Sequence, residues 1–209
     1  MTVKLEQLVR FLELYAARLV ASKQYLTELD SAIGDGDHGI NMDRGFQAVV
    51  AKLPEIGSDS AGGLFKGVGM TLISTVGGAS GPLYGTFFLR AGMAFGEANE
   101  VTPELLVGAI RAGLDGVVQR GKASLDDKTM VDAMTPAVEA LEAGAADDLA
   151  TVLSAAASAA AAGRDRITPL VARKGRASYL GERSAAHQDP GATSTTILFE
   201  SLRDAVGSV

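Results

Sequence analysis

The chain has no cysteine among its 209 residues. That excludes disulfides, thiol nucleophiles and zinc-thiolate sites, and it fits a cytoplasmic protein. Positive charge is not in surplus either. The formal net charge is -6, the wrong sign for a nucleic-acid surface. Aromatic residues make up only 5% against 47% hydrophobic residues, so a full core has to come from closely packed helices rich in Ala and Gly. No convincing run of period-two alternation marks a strand, and no internal repeat is present. The start, Met1-Thr-Val-Lys-Leu-Glu, lacks the basic and apolar regions of a signal peptide. The uncharged run from Gly67 to Leu89 is broken by Gly77-Gly78 and Gly81-Pro82. It therefore predicts two buried helices and no membrane span. The length fits a single domain, 1–209.

What is present is helical spacing. Leu5, Leu8, Leu12, Ala16 and Leu19 predict a helix over about 3–24. A second starts near Gly39, carries Met42, Phe46, Val49, Val50 and Leu53 on one face, and stops at Pro54. Asp59 or Ser60 caps a third that reaches about Val76. Ser80 caps a fourth, with Pro82 in its first turn. Thr102-Pro103-Glu104 is an N-cap, a Pro at the first helical position and an acid near the dipole. It opens a fifth helix to about Arg120. A sixth covers 130–144, the Ala-rich stretch Ala143 to Ala162 a seventh, and 192–206 the last. Between 167 and 191 the chain reads as a long polar loop, and a loop of that length in a compact domain is functional or disordered. The fold class is all-α, about eight helices in an antiparallel bundle.

The chain is organised around Asp30-Ser-Ala-Ile-Gly-Asp35-Gly-Asp37-His38-Gly39. Asp30, Asp35 and Asp37 are close enough in sequence to repel one another unless a cation neutralises them. Oxygen donors without sulfur suit Mg2+ or Ca2+. The plain alternative is a solvated acidic turn capping the next helix. Gly34-x-Gly36-x-x-Gly39 matches the dinucleotide fingerprint by letter, but the turn is acidic and follows a helix. An EF-hand loop fails as well, with Ile40 and Phe46 where Gly and Glu are required.

Three further loops carry candidate chemistry. Gly77-Gly78-Ala79-Ser80-Gly81-Pro82 leads into a helix, so free N–H groups and the dipole favour an anion there; a tight helix connection explains it equally well. Ser80 is no nucleophile elbow, because Pro82 replaces the second Gly and no strand precedes it. Gly116-x4-Gly121-Lys122 is not a P-loop: Ala123 stands where Ser or Thr must hold Mg2+. Lys122 and Lys128 either line a pocket or are solvated surface charges. The tail loop gathers Lys174, Arg176 and Arg183 near His187, and Arg suits phosphate. His38 and His187 are the only histidines; each is a site residue or a hydrogen-bonded structural one.

Taken together, Gly34-Asp-Gly-Asp-His-Gly-Ile-Asn-Met-Asp-Arg-Gly45, Val76-Gly-Gly-Ala-Ser-Gly-Pro-Leu-Tyr-Gly-Thr86, Asp127-Lys-Thr-Met130-Val-Asp132 and Lys174-Gly-Arg-Ala-Ser-Tyr-Leu-Gly-Glu-Arg183 with His187-Gln-Asp-Pro-Gly-Ala-Thr193 resemble the L subunit of dihydroxyacetone kinase. They occur in the family's order across nearly the whole chain. The resemblance implies an eight-helix barrel with ADP or ATP at one end. It implies that Asp30, Asp35 and Asp37 hold two Mg2+ ions bridging the phosphates. His38, Gly39, Ile40, Asn41, Gly78, Ala79, Ser80, Gly121, Met130, Arg176, Asp189, Pro190 and Gly191 would surround the nucleotide, with Met130 against the base. It further implies a phosphotransferase that works only with partners: a K subunit holding dihydroxyacetone, an M subunit donating from a phosphohistidine, and regulatory contacts such as a transcriptional regulator. A free-standing L-like chain favours this relay over an ATP-exchanging kinase. The rival from another class is a non-catalytic, metal-stabilised binding module. One departure stands out: Asp126 occupies a position where the family pattern has Gly, which puts the local loop shape in question.

Overall fold

The computed structural model describes residues 2–56, 59–144 and 148–207. A two-residue strand β1 (Val3–Lys4) precedes α1 (Leu5–Ile33), α2 (His38–Ile56), α3 (Ala61–Thr75) and α4 (Ser80–Phe95). Strand β2 (Glu100–Val101) then leads to α5 (Pro103–Gly121), α6 (Met130–Ala143), α7 (Leu149–Ile167), a 3-10 segment (Arg176–Ser184) and α8 (Pro190–Val206). Each helix packs on the next in sequence, and α8 closes on α1. Among the described residues the result is a closed antiparallel ring of eight α-helices; the spacing anticipated an antiparallel all-α bundle, and the family resemblance implied the barrel. The strands, which the sequence pattern did not suggest, are one antiparallel pair with Val3 opposite Val101.

All seven phenylalanines are buried. Phe11, Phe46, Phe65, Phe87, Phe88 and Phe95 meet in edge and stacked pairs with Tyr15 among them. The scarce aromatics are thus spent on the barrel axis, where large rigid groups fill most volume. Outside them, glycine lets helices approach. A Cβ on Gly39 would stand 2.1 Å from the Lys23 carbonyl, so α2 crosses α1 at backbone distance there.

Several boundaries differ from the sequence expectation. Helix α1 runs nine residues past 24, because Leu26, Asp30 and Ile33 continue its buried face. Asp30 is therefore in its last turn. Pro54 lies inside the last turns of α2 and does not end it. Ser60 caps α3 by accepting from the Gly63 N–H, and Thr102 caps α5 as its sequence signal indicated. Ser80 does not cap α4. The N-cap is Ala79, which offers no side-chain bond, and Ser80 is the first helical residue. Helix α7 begins at Leu149 after its Asp148 cap; part of the expected start, 145–147, lies outside the described residues. Helix α8 begins at Pro190, with Asp189 as N-cap accepting from Ala192 N–H. The uncharged run is split between α3 and α4, and among the described residues no helix is long and apolar enough to cross a membrane.

The topology has a direct consequence for the site. In an up-down ring the connections α1–α2, α3–α4, α5–α6 and α7–α8 all fall at one end. Those are the four segments that carry the motifs. The N-termini of α2, α4, α6 and α8 converge there, each a positive dipole end.

Candidate active site at one end of the barrel

Asp30, Asp35 and Asp37 come together. One carboxylate oxygen from each lies within 4.8 Å of the others. Asp30 is nearly buried and its orientation is fixed: Oδ2 accepts from the backbone N–H of Asp37 at 2.8 Å and of His38 at 3.0 Å. The last turn of α1 thus holds the start of α2. Gly34 makes room for this, since a Cβ there would be 2.1 Å from Asp30 Oδ1. Gly36, at φ 73°, takes the turn through the left-handed region. Asp35 is exposed and paired with Arg176 Nη2 of the tail at 3.0 Å. Three carboxylates, no nitrogen or sulfur donor, and a rigid Asp30 form a donor set that fits a hard divalent cation.

A cleft opens beside them. Asp30, Asp35, Asp37, His38, Gly78, Ala79, Ser80, Met130, Arg176, Asp189, Pro190 and Gly191 all line it. Tyr84, Thr129 and Lys174 also face it, and sequence reasoning did not assign them to the nucleotide; Lys128, one of whose two readings was pocket lining, faces it as well. An apolar annex continues past Leu83 and Met130 to Pro82, Val117, Gly121, Ala123 and Val131. The cleft therefore grades from carboxylates, through helix N-termini and hydroxyls, to aliphatic walls. Gly39, Ile40 and Asn41 are not on its wall. Gly39 packs against α1, Ile40 is largely exposed, and Asn41 Oδ1 accepts from Arg44 Nη2 at 2.7 Å beside the Gly77 turn.

His38 is buried with both ring nitrogens engaged. Nδ1 lies 3.0 Å from Ser80 Oγ and Nε2 lies 2.9 Å from Ser194 Oγ. Burial pushes its pKa down to about 4, with the Asp30 charge pulling the other way. Tyr84 Oη meets Ser194 Oγ at 2.8 Å and Thr195 Oγ1 at 3.1 Å. Asp189 moves oppositely. Burial raises it to about 7; the Ala192 N–H bond and Lys128 hold it down, while Asp132 and Asp30 add to the rise. His187, by contrast, is exposed.

Lys128 is neither a surface charge nor a free cation for a ligand. It is 1% exposed, and its ammonium donates to the carbonyls of Thr168, Leu170 and Ser184 at 2.7–2.8 Å. This pins the tail loop to the loop before α6. In the same loop Asp126 has φ 68°. The position does take the left-handed conformation that glycine favours, and Asp126 holds it with its N–H on Asp132 Oδ1 at 2.5 Å and an ion pair to Arg166.

Fold and site together define an all-α barrel that gathers a carboxylate triad, four helix N-termini and an apolar annex at one end. The DAK2 domain model matches residues 32–204, and the chain belongs to that family. It is 48% identical over 204 residues to "PEP-dependent dihydroxyacetone kinase, ADP-binding subunit DhaL" of Escherichia coli, covering 97% of each chain. It is 42% identical over 200 residues to "PTS-dependent dihydroxyacetone kinase, ADP-binding subunit DhaL" of Lactococcus lactis, covering 95% of this chain and 96% of that one. The C. freundii dihydroxyacetone kinase solved with AMP-PNP and Mg2+ superposes with a TM-score of 0.75 at 29% identity, over 98% of this chain and 34% of that chain.

Proposed function

We propose that this chain is the nucleotide-carrying subunit of a phosphoenolpyruvate-dependent dihydroxyacetone kinase. The observation that carries the reading is the graded cleft, in a chain nearly half identical and equal in coverage to an ADP-binding subunit of such an enzyme. Asp30, Asp35 and Asp37 would hold two Mg2+ ions. When bound, such cations neutralise the phosphate charge that otherwise opposes transfer.

The protein's own groups do the rest by positioning. The N-termini of α2 and α4, with Gly78, Ala79 and Ser80, offer N–H and O–H donors to phosphate oxygens. Arg176 is the mobile-length cation that faces both Asp35 and the cleft mouth. Leu83, Met130 and the annex with Gly121 suit a purine face, and Asp189 to Gly191 close the far side. Gly39, Ile40 and Asn41 would act from behind the wall by shaping the first turn of α2. Direct phosphoryl transfer of this kind works by positioning and electrostatics and calls for no covalent nucleophile on the protein. Dihydroxyacetone would sit on a separate K subunit docked over the open end. A phosphohistidine on an M subunit would recharge the ADP, all in the cytoplasm; a regulator could dock on the same end.

The test is to denature the purified protein and identify what is released. Stoichiometric ADP with Mg2+ is the expected result. An empty protein that takes up ATP reversibly would instead indicate an exchanging kinase, and failure to bind any nucleotide with Mg2+ would overturn the reading. In a reconstituted assay Asp35→Asn should abolish transfer to dihydroxyacetone.

A further inference from the structure

The buried hydroxyl run that opens α8 reaches the cleft through His38. We propose that Ser194 is a positioning residue whose hydroxyl donates to His38 Nε2, so that His38 donates from Nδ1 to Ser80 and leaves the Ser80 proton for a phosphate oxygen. This rests on the reading above, in which an anion sits at the Ser80 turn.

The argument is one of counting donors. Ser80 has a single proton, and a phosphate oxygen only accepts. Ser80 Oγ is 3.0 Å from His38 Nδ1, so these atoms share one hydrogen. If Ser80 gave its proton to the ring, it would present only lone pairs to the anion. For Ser80 to donate outward, Nδ1 must carry the hydrogen. A neutral imidazole has one, so Nε2 is then a bare acceptor in the core and needs a donor. The hydroxyl in reach is Ser194, at 2.9 Å. Both ring partners are hydroxyls, and Asp30 Oδ2 is committed to two backbone N–H groups.

Behind Ser194 the chain is supplied. Tyr84 Oη lies 2.8 Å from Ser194 Oγ and 3.1 Å from Thr195 Oγ1, so in this order the Tyr84 hydroxyl is free to donate to Ser194. Tyr15 Oη donates to the Ser194 carbonyl at 3.0 Å and fixes that turn of α8. The chain also has a reversed order, in which Ser80 donates to Nδ1, Nε2–H donates to Ser194, and Ser194 donates to the Gly191 carbonyl at 3.1 Å. The two orders hold the same number of protons. They differ in where the Ser80 hydrogen points, and an anion accepts only one of them.

The decisive measurement is the 15N spectrum of histidine-labelled full-length protein saturated with Mg2+ and ADP. There are only two histidines, and His187→Gln assigns the second. The expected spectrum has His38 protonated at Nδ1 and bare at Nε2. A proton on Nε2, or on both nitrogens, overturns the proposal. Ser194→Ala should weaken ADP binding about threefold to tenfold, the size of one lost buried hydrogen bond. Thr196→Ala removes a buried hydroxyl of the same helix that bonds the Ala192 carbonyl and does not line the cleft, and it should leave affinity within about twofold. Equal losses in both variants would reduce Ser194 to packing and overturn the proposal. If Ser194→Ala does not fold, the wild-type spectrum decides. Wild-type protein that binds no ADP refutes the nucleotide reading and the relay with it; binding with Nε2 protonated refutes the relay alone.

Discussion

His38 and Asp189 both line one cleft, and burial moves them in opposite senses. A charged imidazolium is disfavoured, so His38 falls from 6.5 to about 4. A charged carboxylate is disfavoured, so Asp189 rises from 3.8 to about 7. Between pH 4 and 6.5 the unfolded chain binds more protons at His38 than the folded one does, so that residue makes stability rise with pH. Over about pH 4 to 7 the folded chain binds more protons at Asp189, so that residue makes stability fall with pH. In the metal-free protein the two slopes oppose one another. Asp189→Asn should uncover the His38 slope, with stability climbing on the order of 2 kcal/mol from pH 4.5 to 6.5. His38→Gln should uncover the reverse. Urea titrations at several pH values read both, and parallel profiles in the two variants would contradict the burial argument.

Among the elements, the tail between α7 and α8 depends most on a single side chain. Lys128 supplies donors to three carbonyls of that segment, at Thr168, Leu170 and Ser184. Lys128→Met keeps the length and removes the donors. It should cost about 3 kcal/mol or more, because each carbonyl is left without a charged partner. Amide exchange should accelerate between 168 and 184 while α3 and α4 stay protected. Uniform exchange across the chain would show that the pin is not local. The sequence made the helices legible because the apolar spacing and caps such as Thr102 and Ser60 are local signals. It could not show that Ser80 forgoes capping, since its hydroxyl is drawn to His38 from another helix. Of the two readings open for Lys128, pocket lining holds and surface charge does not, but its carbonyl partners were hidden for the same reason. Nothing near it in sequence reveals three carbonyls some 40 to 56 residues away. The carboxylate triad was readable because its members are close in sequence. Tyr84 and Ser194 were not, although four consecutive hydroxyl residues, Thr193 to Thr196, at a helix start were a signal that something polar is buried there.

At the scale of the molecule, the barrel and its ligand should stabilise one another. The carboxylates and helix N-termini exist as a group only in the folded ring. A ligand that binds this end therefore shifts the folding equilibrium by mass action. Mg2+ with ADP at a hundredfold excess over Kd adds about 2.7 kcal/mol, which for a chain of this size is a rise of roughly 5–10 °C in Tm. Differential scanning with and without EDTA reads it. A rise that survives EDTA would detach the metal from nucleotide binding.

The pairing of His38 with Ser194 spans 156 residues. On the ribosome, at roughly 5–20 residues per second, the second partner emerges about 8 to 30 s after the first. During that interval the carboxylates are already made while the wall that faces them is not. A nascent chain in this state lacks the Asp189 to Gly191 part of the cleft. On the function proposed above, loading would wait until α8 has left the exit tunnel and closed the ring, and a bound nucleotide would then record that synthesis was completed.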